Sequence, residues 1–180
     1  MGVGVQVSPS APITCERSPQ AEGENLSVQP AFAVRQIDYG DALLADYRSL
    51  RILLWPDCRD DCDREMANIL ANPDRSAAFV VSVDGQGVVG FIEVHLREFA
   101  EGAKCSPVAF VEGLFILPEQ RRLGLAKALL KVAEAWAVSR GCNELGSDTQ
   151  ASNHLSIKVH KQLGFQEVER LVCFLKRLED

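Results

Sequence analysis

The spacing of apolar residues changes several times along the chain, and each change marks an element. Residues around Phe32 to Ile37 read as a short strand. Leu43, Tyr47, Leu50 and Leu54 then recur at i, i+4, i+7 and i+11, one face of a helix that Asp38 or Asp41 caps. Trp55-Pro56 ends it, because a residue before proline avoids the helical region. Five acids in nine residues follow (Asp57, Asp60, Asp61, Asp63 and Glu65), and a short helix runs to about Ala71. Ala77 to Val83 and Val88 to Leu96 are two strands of a hairpin around the turn Asp84-Gly85-Gln86-Gly87. Val108 to Leu117 is almost wholly apolar and suits a central strand covered on both faces. Arg122 to Arg140 is the strongest helix, with Leu125, Leu129, Val132 and Trp136 as its apolar stripe, Lys127, Lys131 and Glu134 facing out, and Gly141 ending it. Asn143 to Ser147 is a short strand, Asn153 to Leu163 a helix stopped by Gly164, and Phe165 to Leu175 a final strand. A hairpin followed by two strand-then-helix units gives an α/β class, or α+β with a mixed sheet.

Residues 1–33 differ from the rest. They are rich in Ser, Pro, Gln and Glu, carry no hydrophobic period, and read as a disordered or loosely attached extension. Residues 34–180 read as a single domain, in keeping with a total of 180 residues. The net charge is −6, from 19 basic and 25 acidic residues. An acidic chain without a basic cluster is a poor nucleic-acid partner; its charge serves solubility or attracts a cationic ligand. No apolar run approaches the ~18 residues of a membrane span, and the first residues lack the pattern of a secretory signal. The six cysteines, Cys15, Cys58, Cys62, Cys105, Cys142 and Cys173, form no disulfide framework. Cys58 and Cys62 lack the further ligands a metal needs, so no metal is expected, and the thiols read as reduced in the cytoplasm.

The informative chemistry lies in Leu114 to Ala126, LFILPEQRRLGLA. A buried strand leads into a loop with Arg121, Arg122, Gly124 and Ala126, and then into a long helix. Unpaired backbone N–H groups at a helix start cradle anions, Gly124 allows close approach, and the arginines add charge. The alternative is an ordinary turn with two solvated arginines. Neither a P-loop nor a G-x-G-x-x-G pattern is present. Glu112 is the one charge between Val108 and Leu117; it is either half of an ion pair or a functional carboxylate. Asp148, just after a strand, lies where parallel sheets place ligands, or it bonds its own turn. Asn153, Ser156 and His160 share one helical stripe beside an apolar one of Leu155 and Val159.

Arg121-x-x-Gly124-x-Ala126 after an apolar strand resembles the acetyl-CoA signature of the GNAT N-acetyltransferases. Asn153-x-x-Ser156-x-x-Val159-His160-x-x-Leu163-Gly164-Phe165 resembles that family's second cofactor segment, with His160 where the family often has Tyr. The resemblance covers roughly residues 33–178. It is stronger to the aminoglycoside 6'-N-acetyltransferases, through Arg48-x-x-Arg51-x-x-Leu54-Trp55-Pro56, Phe110 to Pro118, Gly146-Ser147-Asp148-Thr149 and His160 to Phe165.

The resemblance implies a mixed, strongly twisted sheet flanked by about four helices, with a bulged central strand splaying to hold acetyl-CoA. It implies that Leu114, Phe115 and Ile116 meet the pantetheine arm through their backbone. Arg121, Arg122, Leu123, Gly124, Leu125 and Ala126 then hold the pyrophosphate, and Asn153 touches the cofactor. Glu112 and Asp148 become acceptor contacts and candidate bases for an amine that is mostly protonated at neutral pH. His160 becomes the acid for the leaving thiolate. Trp55 becomes a wall against sugar rings, and Glu169 a further acceptor contact, within one chain or across a dimer. Phe99 falls where close relatives place Tyr, without the hydroxyl. The implied reaction is direct acetyl transfer in a ternary complex, by a homodimer, to the 6'-amine of aminoglycoside antibiotics. The rivals are a related enzyme acting on a polyamine or a peptide amine, and an acetyl-CoA-binding module without an acceptor, against which Glu112 and Asp148 together count.

Overall fold

A computed structural model of the chain describes residues 31–178. In chain order they form β1 (Phe32–Gln36), α1 (Leu44–Leu54), α2 (Cys62–Ala71), β2 (Ser76–Val83), β3 (Gly87–Arg97), β4 (Val108–Ile116), α3 (Leu125–Ser139), β5 (Leu145–Ser147) and α4 (His154–Gln162). Single 3-10 turns sit at Pro56–Cys58 and Pro118–Gln120. The five strands make one sheet in the order β1-β2-β3-β4-β5. The first four are antiparallel, and β5 runs parallel to β4. The mixed α/β class read from the sequence is the observed one.

The two faces of the sheet carry separate cores. On one, Val81, Ile92, Val94 and Val111 pack against Leu125, Leu129, Ala133 and Trp136 of α3, with Leu163 and Phe165 at the end of α4 joining them. Of the stripe the sequence predicts for α3, Leu125, Leu129 and Trp136 are buried, while Val132 is only partly so and Ala133 is buried beside it; Lys127, Lys131 and Glu134 are exposed. On the other face, Val80, Val88 and Phe91 pack against Tyr47 and Leu50 of α1 and Met66 of α2.

That second core contains charge. Glu93 of β3, only 3% exposed, accepts a hydrogen bond from the Tyr47 hydroxyl at 2.6 Å and one from Arg51 Nε at 2.5 Å. Arg51, itself buried, also reaches Glu65 Oε2 at 3.1 Å. Burial pushes the Glu93 carboxyl above its ordinary value, against the opposing pull of Arg51 and Tyr47. Burial also works against the Arg51 charge, but the Glu93 carboxylate more than offsets it and holds the guanidinium protonated. The Tyr47 hydroxyl is raised, first by burial and then by the neighbouring carboxylate.

The strand expected around Phe32 to Ile37 is β1, and residues 1–30 of the expected extension lie outside the described residues. Two boundaries differ from the sequence reading. The helix expected from Arg122 begins at Leu125, because Arg122 (φ 67°) and Gly124 (φ 80°) are left-handed. The final strand expected over Phe165 to Leu175 is absent: residues 165–178 are irregular. Val168, Leu171, Val172, Phe174, Leu175 and Leu178 of that segment are all exposed. The segment is apolar on both faces of its alternation, so it needs cover from two sides, and β5, which precedes it in the chain and ends the sheet, is three residues long.

Removing one partner of a buried ion pair leaves the other uncompensated, so Glu93→Ala is expected to cost about 3–5 kcal/mol of stability. Glu93→Gln, which keeps an acceptor for the Tyr47 hydroxyl, is expected to cost less. Urea unfolding followed by circular dichroism checks both, and a Glu93→Ala protein within about 1 kcal/mol of the parent contradicts the assignment.

Candidate active site

β3 pairs with β4 from Gly90 to Arg97, in regular register except at one step. Glu93 lies opposite Gly113 and Val94 opposite Val111, so Glu112 is an extra residue on β4, a bulge. On its other side β4 pairs with β5 only at Ala109, Phe110 and Val111, opposite Leu145, Gly146 and Ser147. Pairing therefore stops where the bulge begins. From Glu112 to Ile116 the β5-facing edge of β4, which includes Leu114, Phe115 and Ile116, has no strand beside it among the described residues. Such an edge offers main-chain donors and acceptors to an extended ligand.

The open edge runs toward the loop before α3. Arg121 Nε donates to the Ile116 carbonyl at 3.1 Å, tying the loop to the end of β4. Left-handed Arg122 and Gly124 bracket Leu123 and turn the backbone sharply there. A residue with a side chain in that conformation costs roughly 1–2 kcal/mol, and such strain collects at binding sites. A methyl group added at Gly124 would meet nothing within 4 Å, so the space beside it is open. No side chain caps α3, and its first internal bond is Ala128 N–H to the Gly124 carbonyl. The N–H groups of Leu125 and Ala126 therefore have no partner within the helix. Arg122 is exposed and has no carboxylate partner among the described residues. These residues suit a group with an extended amide arm and a diphosphate, which is the shape of acetyl-CoA.

Glu112 is not the buried carboxylate that its apolar neighbours imply. The bulge turns its side chain outward, 33% exposed, where Arg97 holds it at 2.5 Å. Arg97 grips both carboxylate oxygens and stacks over the Phe110 ring, 3.5 Å from its centroid. The deeply buried carboxylate of the sheet is Glu93, which the sequence shows by the same signal, one charge in an apolar strand. Asp148 is exposed, one residue beyond the Val111–Ser147 pair, and makes no hydrogen bond or ion pair among the described residues. The chain thus brings Glu112 and Asp148 to the same place, the point where β4 and β5 part.

Trp55, the residue that ends α1, stands against Gly113, two residues beyond the last β4–β5 pair. A Cβ on Gly113 would lie 2.3 Å from Trp55 Cη2, so the indole fills the space the glycine leaves. Its ring is half-buried, packs near Phe91 (6.0 Å between centroids), and has the Arg51 guanidinium over it at 4.9 Å. Arg51 thereby links the buried Glu93 to the wall of the site, a connection that no spacing in the sequence reveals.

On α4, Asn153 is the N-cap: its side-chain oxygen accepts the Ser156 N–H at 3.0 Å. His160 points to β5, with Nε2 2.9 Å from Ser147 Oγ and Nδ1 2.8 Å from the Ser156 carbonyl. Phe99 and Glu169 are both exposed, and no contact brings either to the β4–β5 mouth. They approach one region, since Val168 lies 2.9 Å from where a Gly102 Cβ would be, on the β3–β4 connection that also carries Phe99. The acidic stretch after Trp55 is largely neutralised: Asp63 pairs with Arg48, Asp61 with Arg64 and Glu65 with Arg51.

This arrangement of bulge, open edge and anion-binding loop defines an acyl-CoA-dependent transferase, and the acetyltransferase (GNAT) family model matches residues 41–165. The chain belongs to that family. An aminoglycoside N(6')-acetyltransferase type 1 from Klebsiella aerogenes is 40% identical over 149 residues, covering 81% of this chain and 96% of the relative. One from Salmonella enteritidis is 38% identical over 135 residues, covering 74% and 92%. Among solved structures, AAC(6')-Iy in complex with the bisubstrate analog CoA-S-monomethyl-acetylneamine gives a TM-score of 0.76 at 37% identity, covering 82% of this chain and 99% of that one. The aminoglycoside 6'-N-acetyltransferase AAC(6')-Ih from Acinetobacter baumannii gives 0.77 at 35% identity, covering 83% and 100%.

Proposed function

We propose that this chain transfers the acetyl group of acetyl-CoA to the 6'-amine of aminoglycosides and so confers resistance to them. The observation that carries the reading is the end of β4–β5 pairing at Val111 and Ser147, with an open edge on one side of the break and Glu112 and Asp148 at it. Family membership and the names of the relatives support it. The relatives give no such support to a polyamine or peptide acceptor.

The main chain of Leu114, Phe115 and Ile116 holds the amide arm of acetyl-CoA, and the backbone from Leu123 to Ala126, with Arg122, holds its diphosphate. Backbone N–H groups on the open edge polarise the thioester carbonyl. Both Glu112 oxygens are engaged by Arg97, so Glu112 serves to bind the cationic acceptor. Asp148, with its oxygens free, takes a proton from the acceptor ammonium directly or through water. The neutral amine then attacks the acetyl carbon in the ternary complex. Trp55 offers its flat face to the sugar rings, and its place is fixed by Gly113 beneath and Arg51 above. Asn153 contributes from the start of α4. No step uses a metal. The place of action is the cytoplasm, which supplies acetyl-CoA and keeps thiols such as Cys105 and Cys173 reduced.

CoA release from acetyl-CoA, measured with an aminoglycoside bearing a 6'-amine and with a matched one bearing a 6'-hydroxyl, tests the reading. Turnover with the amine alone is expected; equal turnover with both contradicts it.

The working unit is a homodimer, and the support is residues 165–178. Six large apolar side chains of this segment are exposed in one copy, and the segment has the two-sided apolar pattern of an internal strand. A second copy supplies the missing cover and would bring Glu169 and Phe99 toward an acceptor. Leu171→Asp with Phe174→Asp is expected to convert the dimer to monomer in sedimentation velocity. A parent protein that sediments as a monomer at micromolar concentration contradicts the assignment.

A further inference from the structure

Ser147 sits at the last paired position of β5, opposite Val111, and its hydroxyl has two neighbours. One is His160 Nε2 at 2.9 Å, the other the Val111 carbonyl oxygen at 3.3 Å. The ring's far nitrogen, Nδ1, lies 2.8 Å from the Ser156 carbonyl oxygen, which only accepts, so Nδ1 carries a hydrogen. In the neutral ring Nε2 then has a lone pair, and the Ser147 hydroxyl donates to it. In the doubly protonated ring Nε2–H donates to Ser147 Oγ, and the hydroxyl proton is released toward the Val111 side. Both states are fully hydrogen-bonded. The pair is therefore built to pass a proton from the ring to the point where β4 and β5 part.

We propose that Ser147, not His160, is the group that protonates the leaving thiolate, and that His160 is the proton source behind it. This rests on the acetyl-transfer reading above, which puts the thioester at the end of the β4–β5 pairing. As the amine nitrogen bonds to the acetyl carbon, the carbon–sulfur bond breaks and its electron pair goes to sulfur. Ser147 Oγ gives its proton to that sulfur and takes the Nε2 proton of His160. The ring is left neutral with hydrogen on Nδ1, and a proton from solvent restores it. The acceptor ammonium loses two protons, the thiol gains one, and one is released. The sequence motif shows His160 in the position where the family often has Tyr, but an imidazole held on both nitrogens by the chain has no free edge for sulfur. Ser147 supplies the missing reach.

The test compares Ser147→Ala, Ser147→Thr and His160→Gln with the parent in CoA release, alongside acetyl-CoA affinity by calorimetry. His160→Gln keeps an amide donor toward Ser147 Oγ but has no proton to give up. For Ser147→Ala and His160→Gln, kcat is expected to fall at least ~10-fold, toward the low end of general-acid effects, while acetyl-CoA affinity stays within about two-fold. Ser147→Thr, which keeps the hydroxyl, is expected to restore kcat to within about three-fold of the parent. A purely structural clamp predicts the opposite split, with weakened acetyl-CoA binding, a lowered melting temperature and normal kcat in His160→Gln. Retention of parent kcat by Ser147→Ala or His160→Gln overturns the proposal. Nitrogen-15 spectra of the ring in the free protein give a readout independent of turnover. As the pH is raised, the ring is expected to lose its Nε2 proton and keep the one on Nδ1, with an Nε2 signal that moves in Ser147→Ala; loss of the Nδ1 proton instead, leaving hydrogen on Nε2 of the neutral ring, overturns the relay. Failure of the acetyl-transfer reading shows separately, as a parent protein that acetylates no aminoglycoside, and the ring spectra then decide the relay alone.

Discussion

One extra residue in β4 organises the site. Because Glu112 has no partner on β3, the strand bends there, and pairing with β5 ends one residue earlier, at Val111. Every proposed feature follows from that local fault: the open main-chain edge of Leu114 to Ile116, the outward turn of the Glu112 carboxylate, and the juxtaposition of Asp148 and Ser147. A regular β4 would pair with a longer β5 and leave no gap for a thioester. Gly113, next to the bulge, has the complementary role, since only a residue without a side chain lets Trp55 come so close.

The bulge is held from below by a charged core. Glu93, across the sheet from Gly113, joins Tyr47 and Arg51 of α1, and Arg51 lies over Trp55. Replacing such a group with apolar residues of equal volume is often neutral for stability, so its presence is weak evidence of a stability role. Its geometry gives it a different one. A guanidinium with fixed partners on two carboxylates has little freedom, and the indole beneath it inherits that order. Stability, packing and the acceptor wall thus meet in the same side chains.

Much of this was legible in the sequence, for physical reasons. The α3 stripe, the Asp84–Gly87 turn and the apolar run of β4 are strong periodic signals, and they give elements in nearly the observed places. The Arg121 to Ala126 pattern marks the anion loop, although left-handed Arg122 and Gly124 delay the helix it opens. What failed shares one cause: pattern reports the sequence neighbours of a residue, not its partners across the sheet. Glu112 and Glu93 both interrupt apolar strands; the bulge exposes one and α1 buries the other. The apolar alternation of residues 165–178 is a strand signal, but a strand also needs an adjacent partner, and β5, which precedes the segment in the chain and ends the sheet, is only three residues long. Ser147 and His160 lie thirteen positions apart and meet only because α4 folds back on β5.

The account depends on the β5-facing edge of β4 being the place where acetyl-CoA binds. Hydrogen–deuterium exchange of the parent protein with and without CoA measures this directly. Added CoA is expected to slow exchange at the amides of residues 114–117 and 123–127 and to leave β1 and the start of β2 unchanged. Slowing elsewhere, with unchanged exchange at residues 114–117, would contradict it.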